Sequence, residues 1–150
     1  MRHIRKVAVL GSGVMGSGIA CHLANAGLEV LMLDILPRKK SEEELKDTAV
    51  RNSVASSSLK TAIKSKPAPL YKSEYAKRIT TGNLEDDLEK IKDYDWVIEV
   101  IIENLDIKRS LFEKVDQLRR EGTLISSNTS GIPIHQMSEG FSEDFQKHFC

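Results

Sequence analysis

Apolar runs alternate with helically spaced apolar residues in the first part of the chain. The run Val7–Leu10 leads into a glycine-rich turn, and the segment from Met15 to Ala26 then carries its apolar residues at helical spacing. A second apolar run, Leu28–Leu33, follows Gly27. Short continuous apolar runs indicate buried strands, and the three- to four-residue period between them indicates a helix. This part of the sequence therefore predicts a strand, a helix and a second strand in succession.

The same alternation returns in the second half of the chain. The predicted elements there are a strand-like segment at residues 78–81, a short acidic helix carrying Leu84, Leu88 and Ile91, a strand over Trp96–Ile102 that is buried on both faces, a helix capped by Asn104, and a strand over Thr123–Ile125. Strands that alternate with helices form a parallel sheet with helices on its faces. The predicted fold class is therefore α/β, a Rossmann-type doubly wound parallel sheet.

A long segment separates the second strand from the next one, and we predict an inserted helical flap over about residues 38–77. Ser41 and Glu44 form a capping box, and an uneven apolar stripe continues beyond them to Lys66–Pro69, which predicts two helices or one broken helix. The segment also contains three cations: Lys60, Lys64 and Lys66. They either meet an anionic substrate or form a solvated helix face.

Composition limits the possible classes of function. The chain has 150 residues, of which 40% are hydrophobic and 29% charged, with a formal net charge of zero. These values predict one domain over residues 1–150 and no nucleic-acid partner. No apolar run is long enough to cross a membrane. Cys21 and Cys150 have neither a metal-binding nor a catalytic context, so we expect a cytoplasmic protein without disulfides, membrane contact or a metal site.

The glycine-rich turn after the first strand predicts a site for a pyrophosphate. Gly11 permits a tight turn, Gly13 lets the backbone approach the phosphates, and Gly16 lets the helix pack closely on the strand. The N-H groups at the start of the helix then face the anion. Glycine also occurs in such turns for steric reasons alone, so the context of the motif decides. The predicted cofactor contacts in this segment are Gly11, Ser12, Gly13, Val14, Met15 and Gly16.

An acidic residue stands where a dinucleotide-binding unit places one. Asp34 ends the second strand, roughly 20 residues past Gly16. A carboxylate at this point accepts hydrogen bonds from the adenosine ribose and repels a 2′-phosphate, which predicts NAD rather than NADP. Arg38 is the one nearby residue that favours NADP. An ordinary turn before Pro37 is the alternative explanation of Asp34.

Polar residues also follow the later strands. Glu103 and the run Ser126–Ser130 fall at strand ends, where parallel sheets bind their ligands. Hydroxyl and amide groups there are suited to holding a substrate oxygen during hydride transfer, and equally to satisfying the loop backbone. Glu103 and Lys108 are poorly spaced for a helical ion pair, so each is expected to face something else, with solvent the default for Lys108.

The later motifs are more specific than the glycine turn. They are Trp96–Glu99, Glu103-Asn104-Leu105 with Lys108, and Ser127-Asn128-Thr129-Ser130, in addition to Gly11–Gly16, Ile19-Ala20 and Asp34. Together they resemble the 3-hydroxyacyl-CoA dehydrogenase family over essentially the whole chain. The resemblance implies NAD-dependent oxidation of a 3-hydroxyacyl-CoA to a 3-ketoacyl-CoA in fatty acid β-oxidation. It implies that Asp34 binds the adenosine ribose and that Glu103 and Lys108 lie along the nicotinamide side. Ser130 would be the catalytic residue of this chain, in contact with both substrate and cofactor.

The resemblance also implies what lies outside this sequence. The helical segment would correspond to a flap over coenzyme A, with Ser58, Lys64 and Lys66 as contacts. The catalytic base of the family is a histidine, and aligning Phe149–Cys150 with the residues before it places that base beyond residue 150. A second helical domain, which makes the oligomer, is absent from the chain too. We therefore expect NAD binding without turnover. The alternatives are a dehydrogenase of another small hydroxy acid and a non-catalytic nucleotide-sensing module.

Overall fold

The computed structural model describes residues 3–150, so Met1 and Arg2, with which the predicted domain begins, lie outside the described residues. Its five strands are β1 (Lys6–Leu10), β2 (Glu29–Asp34), β3 (Ile79–Asn83), β4 (Trp96–Glu99) and β5 (Leu124–Ser127). All neighbouring strands pair in parallel, in the order β3-β2-β1-β4-β5. The predicted Rossmann-type sheet is confirmed.

Helices connect the strands and cover both faces of the sheet. They are α1 (Val14–Asn25), α2 (Thr48–Arg51), α3 (Ser53–Lys64), α4 (Leu105–Leu118), α5 (Ile134–Ser138) and α6 (Glu143–His148). The predicted cap of α4 is present, because the Asn104 side chain accepts a hydrogen bond from the Ile107 amide at 3.1 Å. Among the described residues, none of the helices combines the length and the apolar character needed to cross a membrane.

Alternation along the strands divides the apolar residues into two cores, one on each face. On one face, Ala8 and Leu10 of β1 pack with Phe112 and Val115 of α4. On the other face, Val7 and Val9 pack with the buried side of α1. Because successive side chains of a strand point to opposite faces, a strand covered on both sides is apolar throughout. This explains the continuous apolar runs of β1 and β2.

Some predicted elements differ from the observed ones in their bounds or their type. The strand predicted over Trp96–Ile102 ends at Glu99, since the Glu99 carboxylate accepts the Ile101 amide at 2.7 Å and the chain turns away from the sheet. The last strand continues to Ser127, so the first two residues of the predicted loop Ser126–Ser130 belong to β5. The short acidic helix is a 3-10 segment over Leu88–Asp93.

The segment predicted as an inserted flap contains the crossover helix of the fold. Parallel strands need a connection that crosses the sheet, and α3 provides it between β2 and β3. It packs against α1, β2 and β3, and it buries Ala55. Its start lies near the carboxyl end of β3, where Asn83 Nδ2 donates to Asn52 Oδ1 at 2.7 Å. Beyond its end, the carbonyl of Pro69 accepts from Asn25 Nδ2 at 2.8 Å, at the opposite edge of the sheet.

Candidate functional site

The crevice of the molecule lies where the strand order reverses, at the carboxyl ends of β1 and β4. Strands to one side of this point connect through helices on one face, and those on the other side through the opposite face, so the loops after the two central strands diverge. Gly11 follows β1 there, and its amide donates to the Leu33 carbonyl at 2.7 Å. Val100 follows β4, and its amide donates to the Leu10 carbonyl at 2.8 Å. The glycine turn therefore sits at the edge where open parallel sheets bind ligands.

Two of the three glycines are required by the backbone conformation and packing of the protein, whether or not a ligand is bound. Gly11 has a φ of 112°, a left-handed conformation that side chains disfavour. A Cβ atom on Gly11 would meet the Val100 carbonyl oxygen at 2.5 Å. On Gly16 it would meet the Gly11 carbonyl oxygen at 2.0 Å, so α1 could not approach the turn. These contacts confirm the steric tasks predicted for both residues.

Gly13 differs from the other two glycines. A Cβ atom at this position would meet no atom of the described residues within 4 Å, and the φ of the residue is −57°. Neither space nor backbone conformation within the protein explains glycine here. Gly13 is also the N-cap of α1 and supplies no side-chain cap, while the first N-H groups of any helix lack partners within it. The open face at Gly13 thus fits a close-lying anion, which supports a pyrophosphate.

Asp34 lies beside the turn, as predicted. Its Oδ2 accepts hydrogen bonds from the Ser12 amide at 2.7 Å and from the Ser12 hydroxyl at 2.5 Å. Its Oδ1 accepts the Ile35 amide at 2.7 Å. A carboxylate offers about four acceptor positions, so the described residues leave one on Oδ1 for a further donor. A ribose hydroxyl fits that position.

Two clefts flank the glycine turn. The larger has a volume of about 660 Å³ and is lined by Gly13, Asp34, Arg38 and the apolar side chains Leu84 and Ile101, among others. Its polar end beside Asp34 and its apolar walls suit an adenosine. Arg38 therefore does share the wall with Asp34.

The second cleft lies on the other side of the turn and has a volume of about 490 Å³. Val14 and Met15 at the start of α1 form one wall, and Ser127 and Asn128 at the end of β5 form the other. Val14 is 93% exposed and Met15 is 57% exposed. The structure thus places the two residues between the turn and the end of β5, where a cofactor that crosses the turn would continue.

Glu103 holds the loop that follows β5. Its Oε1 accepts hydrogen bonds from the Thr129 hydroxyl at 2.5 Å, the Gly131 amide at 2.9 Å and the Ser130 amide at 3.1 Å. The Thr129 hydrogen bond, the largest cause, together with the two amides and the charge of Lys108, lowers the pKa of Glu103 from 4.5 to about 2. The carboxylate is therefore ionised near neutral pH. Ser130 itself is exposed on this loop.

Lys108 is fully buried, which corrects the expectation that solvent is its default environment. Its ammonium donates to both carboxylate oxygens of Glu99, at 2.7 and 2.8 Å, and lies 3.5 Å from Glu103 Oε2. Glu99 is also fully buried and accepts the Ser127 hydroxyl. Glu99 was not among the predicted site residues. The available signal was a charged residue inside a strand predicted to be buried on both faces.

The residues predicted to contact coenzyme A are not brought to the crevice. Lys64 ends α3 and Lys66 follows it, on the side of Pro69 and Asn25, at the opposite edge of the sheet from Asp34. Both lysines are exposed, and Ser58 is half-buried in the middle of α3. None of the three lines either cleft.

Comparisons with known proteins agree with this geometry. The family model described as "3-hydroxyacyl-CoA dehydrogenase, NAD binding domain" matches residues 6–150. The chain is 52% identical to a probable 3-hydroxyacyl-CoA dehydrogenase of Bacillus subtilis, over 99% of the chain and 20% of that protein. It is 50% identical to a protein of the same description from Deinococcus radiodurans, over 97% of the chain and 40% of that protein.

A solved structure has a similar fold. The crystal structure of (S)-3-hydroxybutyryl-CoA dehydrogenase from Ralstonia eutropha superimposes with a TM-score of 0.67 and 30% sequence identity. The match covers 98% of this chain and 48% of that one. The chain therefore spans less than half the length of each of these relatives.

Proposed function

Because this chain belongs to the 3-hydroxyacyl-CoA dehydrogenase family, we propose that it is the NAD-binding part of an enzyme that oxidises a 3-hydroxyacyl-CoA to a 3-ketoacyl-CoA in fatty acid β-oxidation. The observation that most directly supports this function is the open face at Gly13 beside the carboxylate of Asp34. An anion-binding turn next to a ribose acceptor suits a dinucleotide. NAD, when bound, accepts the hydride.

We assign the binding of NAD to the two clefts and the turn between them. The backbone of Gly11–Gly16 holds the pyrophosphate, and Ser12 orients Asp34 for the adenosine ribose. Val14 and Met15 would line the nicotinamide side, near the loop after β5 that the ionised carboxylate of Glu103 holds. The larger cleft would hold the adenosine.

Ser130 is the catalytic residue that we propose for this chain. It is exposed at the carboxyl edge of the sheet, and its backbone is held by Glu103, so its hydroxyl can position the reacting oxygen of the substrate. Removal of the hydroxyl proton requires a base, and we assign that role to a histidine after residue 150. This chain would bind and orient without completing the proton transfer.

Ser58, Lys64 and Lys66 remain the proposed contacts for coenzyme A. Exposure and positive charge support the two lysines, while their place at the far edge of the sheet means that the acyl carrier would have to cover α3. In the full-length protein, Lys64→Glu with Lys66→Glu should weaken coenzyme A binding about tenfold. The matched control is Glu42→Lys with Glu43→Lys, an exposed charge reversal before α2. Equal affinity in both double variants and the wild type would remove this contact from the proposal.

We also propose a cytoplasmic location and self-association of the full-length protein through residues beyond this chain. Cys21 is buried in α1 and Cys150 is exposed at the end of the chain, and the two are not joined. Both are thus compatible with a reducing compartment. Fractionation of cells tests the location. Sedimentation of the full-length protein beside this chain tests the assembly, because the chain alone should sediment as a monomer.

Calorimetric titration with NAD, together with an assay on acetoacetyl-CoA and NADH, tests the main proposal. We expect the chain to bind NAD without oxidising NADH, and the full-length protein both to bind NAD and to oxidise NADH. Failure of the chain to bind NAD would contradict the cofactor assignment. Appreciable turnover by the chain alone would show that the base lies within residues 1–150.

A further inference from the structure

We propose that Glu99 is a positioning residue for the nicotinamide side of the site, an inference that rests on the proposed function. It holds Lys108 and Ser127 in place, so that Glu103 stays with the loop Thr129–Gly131 where the cofactor needs it.

The buried charges form one connected group. Glu99 ends β4, Lys108 lies in the first turns of α4, and Ser127 ends β5, so three elements meet at the two carboxylate oxygens of Glu99. Both charged side chains have no exposed surface. The Asn128 amide also donates to the Glu99 backbone carbonyl at 2.8 Å, which ties the start of the loop to the same residue.

Folding alone does not require such a group. Removing two charges from water is unfavourable, and an apolar pair of similar volume often stabilises a core as well or better. The two charges lie under the carboxyl ends of β4 and β5, next to the clefts, whereas the cores on both faces of the sheet are apolar. This location points to a role in the site.

Lys108 connects the buried carboxylate to the exposed one. Its ammonium lies 2.7 Å from Glu99 Oε1 and 3.5 Å from Glu103 Oε2. The other oxygen of Glu103 accepts the three donors of the loop. Because Glu99 is the nearer partner, it keeps the ammonium from pairing closely with Glu103. Glu103 is then free to hold the loop.

Glu99→Gln tests this arrangement with little change in shape. Glutamine keeps an acceptor for the Ile101 amide, which borders the adenosine cleft, but it loses the charge that holds Lys108. The ammonium should then move to Glu103 and pull it from the loop. We expect the Kd for NAD to rise about tenfold, and the Kd for ADP-ribose, which lacks the nicotinamide, to stay within about twofold.

Two further variants separate positioning from stability. Ser127→Ala removes one hydrogen bond to Glu99 and leaves the ion pair, so it should fold if Glu99→Gln does not, with a rise in the Kd for NAD of about threefold. Arg119→Met is the matched control, because this side chain is 3% exposed, pairs with Asp116 and Asp144, and lies at the other end of α4 from the site. It should lower stability and leave both affinities unchanged.

Amide hydrogen exchange measures directly how firmly Glu103 holds the amides of the loop Thr129–Gly131. Glu99→Gln should speed exchange at Ser130 and Gly131, whose amides donate to Glu103, and leave Ser12, whose amide donates to Asp34, as in the wild type. Equal losses of NAD and ADP-ribose affinity, or no loss of either in Glu99→Gln and Ser127→Ala, would overturn the positioning role. If the wild type bound neither ligand, the proposed function itself would fail.

Discussion

Ser12 donates both its amide and its hydroxyl to the same oxygen of Asp34, at 2.7 and 2.5 Å. This double contact joins the glycine turn to the end of β2, and the second oxygen of Asp34 accepts the Ile35 amide. Asp34 lines the larger cleft. Arg38 lines the same cleft. A carboxylate repels a 2′-phosphate, whereas an arginine accommodates one. The charge of Asp34 therefore opposes the binding of NADP that Arg38 would favour.

Asp34→Asn should shift the preference from NAD towards NADP. The asparagine keeps an acceptor for Ser12 and removes the negative charge, so the ratio of the Kd for NADP to the Kd for NAD should fall about tenfold. Titration with each cofactor measures the ratio. Glu29→Gln, at the start of the same strand, is the control and should leave it unchanged. An unaltered ratio in Asp34→Asn would assign the selectivity elsewhere.

Gly13→Ala should weaken NAD binding with at most a small loss of stability. The new Cβ meets no atom of the described residues within 4 Å, but Gly13 is the N-cap of α1, where alanine is less favourable than glycine, so the free energy of unfolding should fall by no more than about 1 kcal/mol. The Kd for NAD should rise at least about tenfold, because the methyl group occupies the path of the phosphates. Urea unfolding and calorimetry measure the two quantities.

Two other glycines of α1 serve as controls for this variant. Gly18→Ala also places a Cβ in open space, and it should stabilise the helix by about 0.5 to 1 kcal/mol. Because Gly18 lines the second cleft, this variant is a control for stability and not for affinity. Gly16→Ala should destabilise the fold by about 1 to 3 kcal/mol, because its Cβ would overlap the Gly11 carbonyl. Wild-type affinity in Gly13→Ala would show that the phosphates lie elsewhere.

The ionised state of Glu103 should make stability depend on pH in the acid range. Its hydrogen bond with the Thr129 hydroxyl contributes most to holding the pKa at about 2, below the ordinary 4.5, so the folded state binds its proton less readily than the unfolded state. The stabilisation is present above pH 4.5 and is lost as the pH falls to about 2. Urea unfolding without cofactor, compared between the wild type and Glu103→Gln, should show a difference that shrinks over this interval. A difference that stays constant down to pH 2 would contradict the assignment.

Phe145 should be a large contributor to stability. It is fully buried in the core beside α4, and its ring lies 5.7 Å from that of Phe112 and 5.2 Å from that of Phe149. Phe145→Ala should lower the free energy of unfolding by about 3 to 5 kcal/mol, through lost burial and the cavity left behind. Phe145→Leu should cost less. A loss below about 1 kcal/mol in Phe145→Ala would show that α6 contributes little to the core.

The parts of the fold that depend on neighbours along the chain were predicted correctly. The apolar runs of β1 and β2, the turn between β1 and α1, and the Asn104 cap all involve contacts over a few residues or a fixed period. The end of β4 was not predicted correctly. The apolar run continues to Ile102, whereas the pairing of the strand stops because a side chain, Glu99, captures the Ile101 amide.

The segment between β2 and β3, which contains α3, also has local features that were predicted and a tertiary feature that was not. Its capping box and its cations were visible in the sequence, and Glu44 does accept the Ser41 amide at 2.9 Å. The direction of α3 was not visible, because it follows from packing between α1 and β3. That direction carries Lys64 to the edge opposite Asp34, which the charge pattern alone does not indicate.

The sequence by itself determined that a strand, a glycine turn and a helix lead to an acid at the end of the next strand, since each step is a local conformational preference. Only the tertiary structure decided which charges meet. Glu99, Lys108 and Ser127 come from three elements, and their contact depends on how α4 packs over β4 and β5. The burial that makes this contact strong is a property of the assembled layers, and no spacing along the chain specifies it.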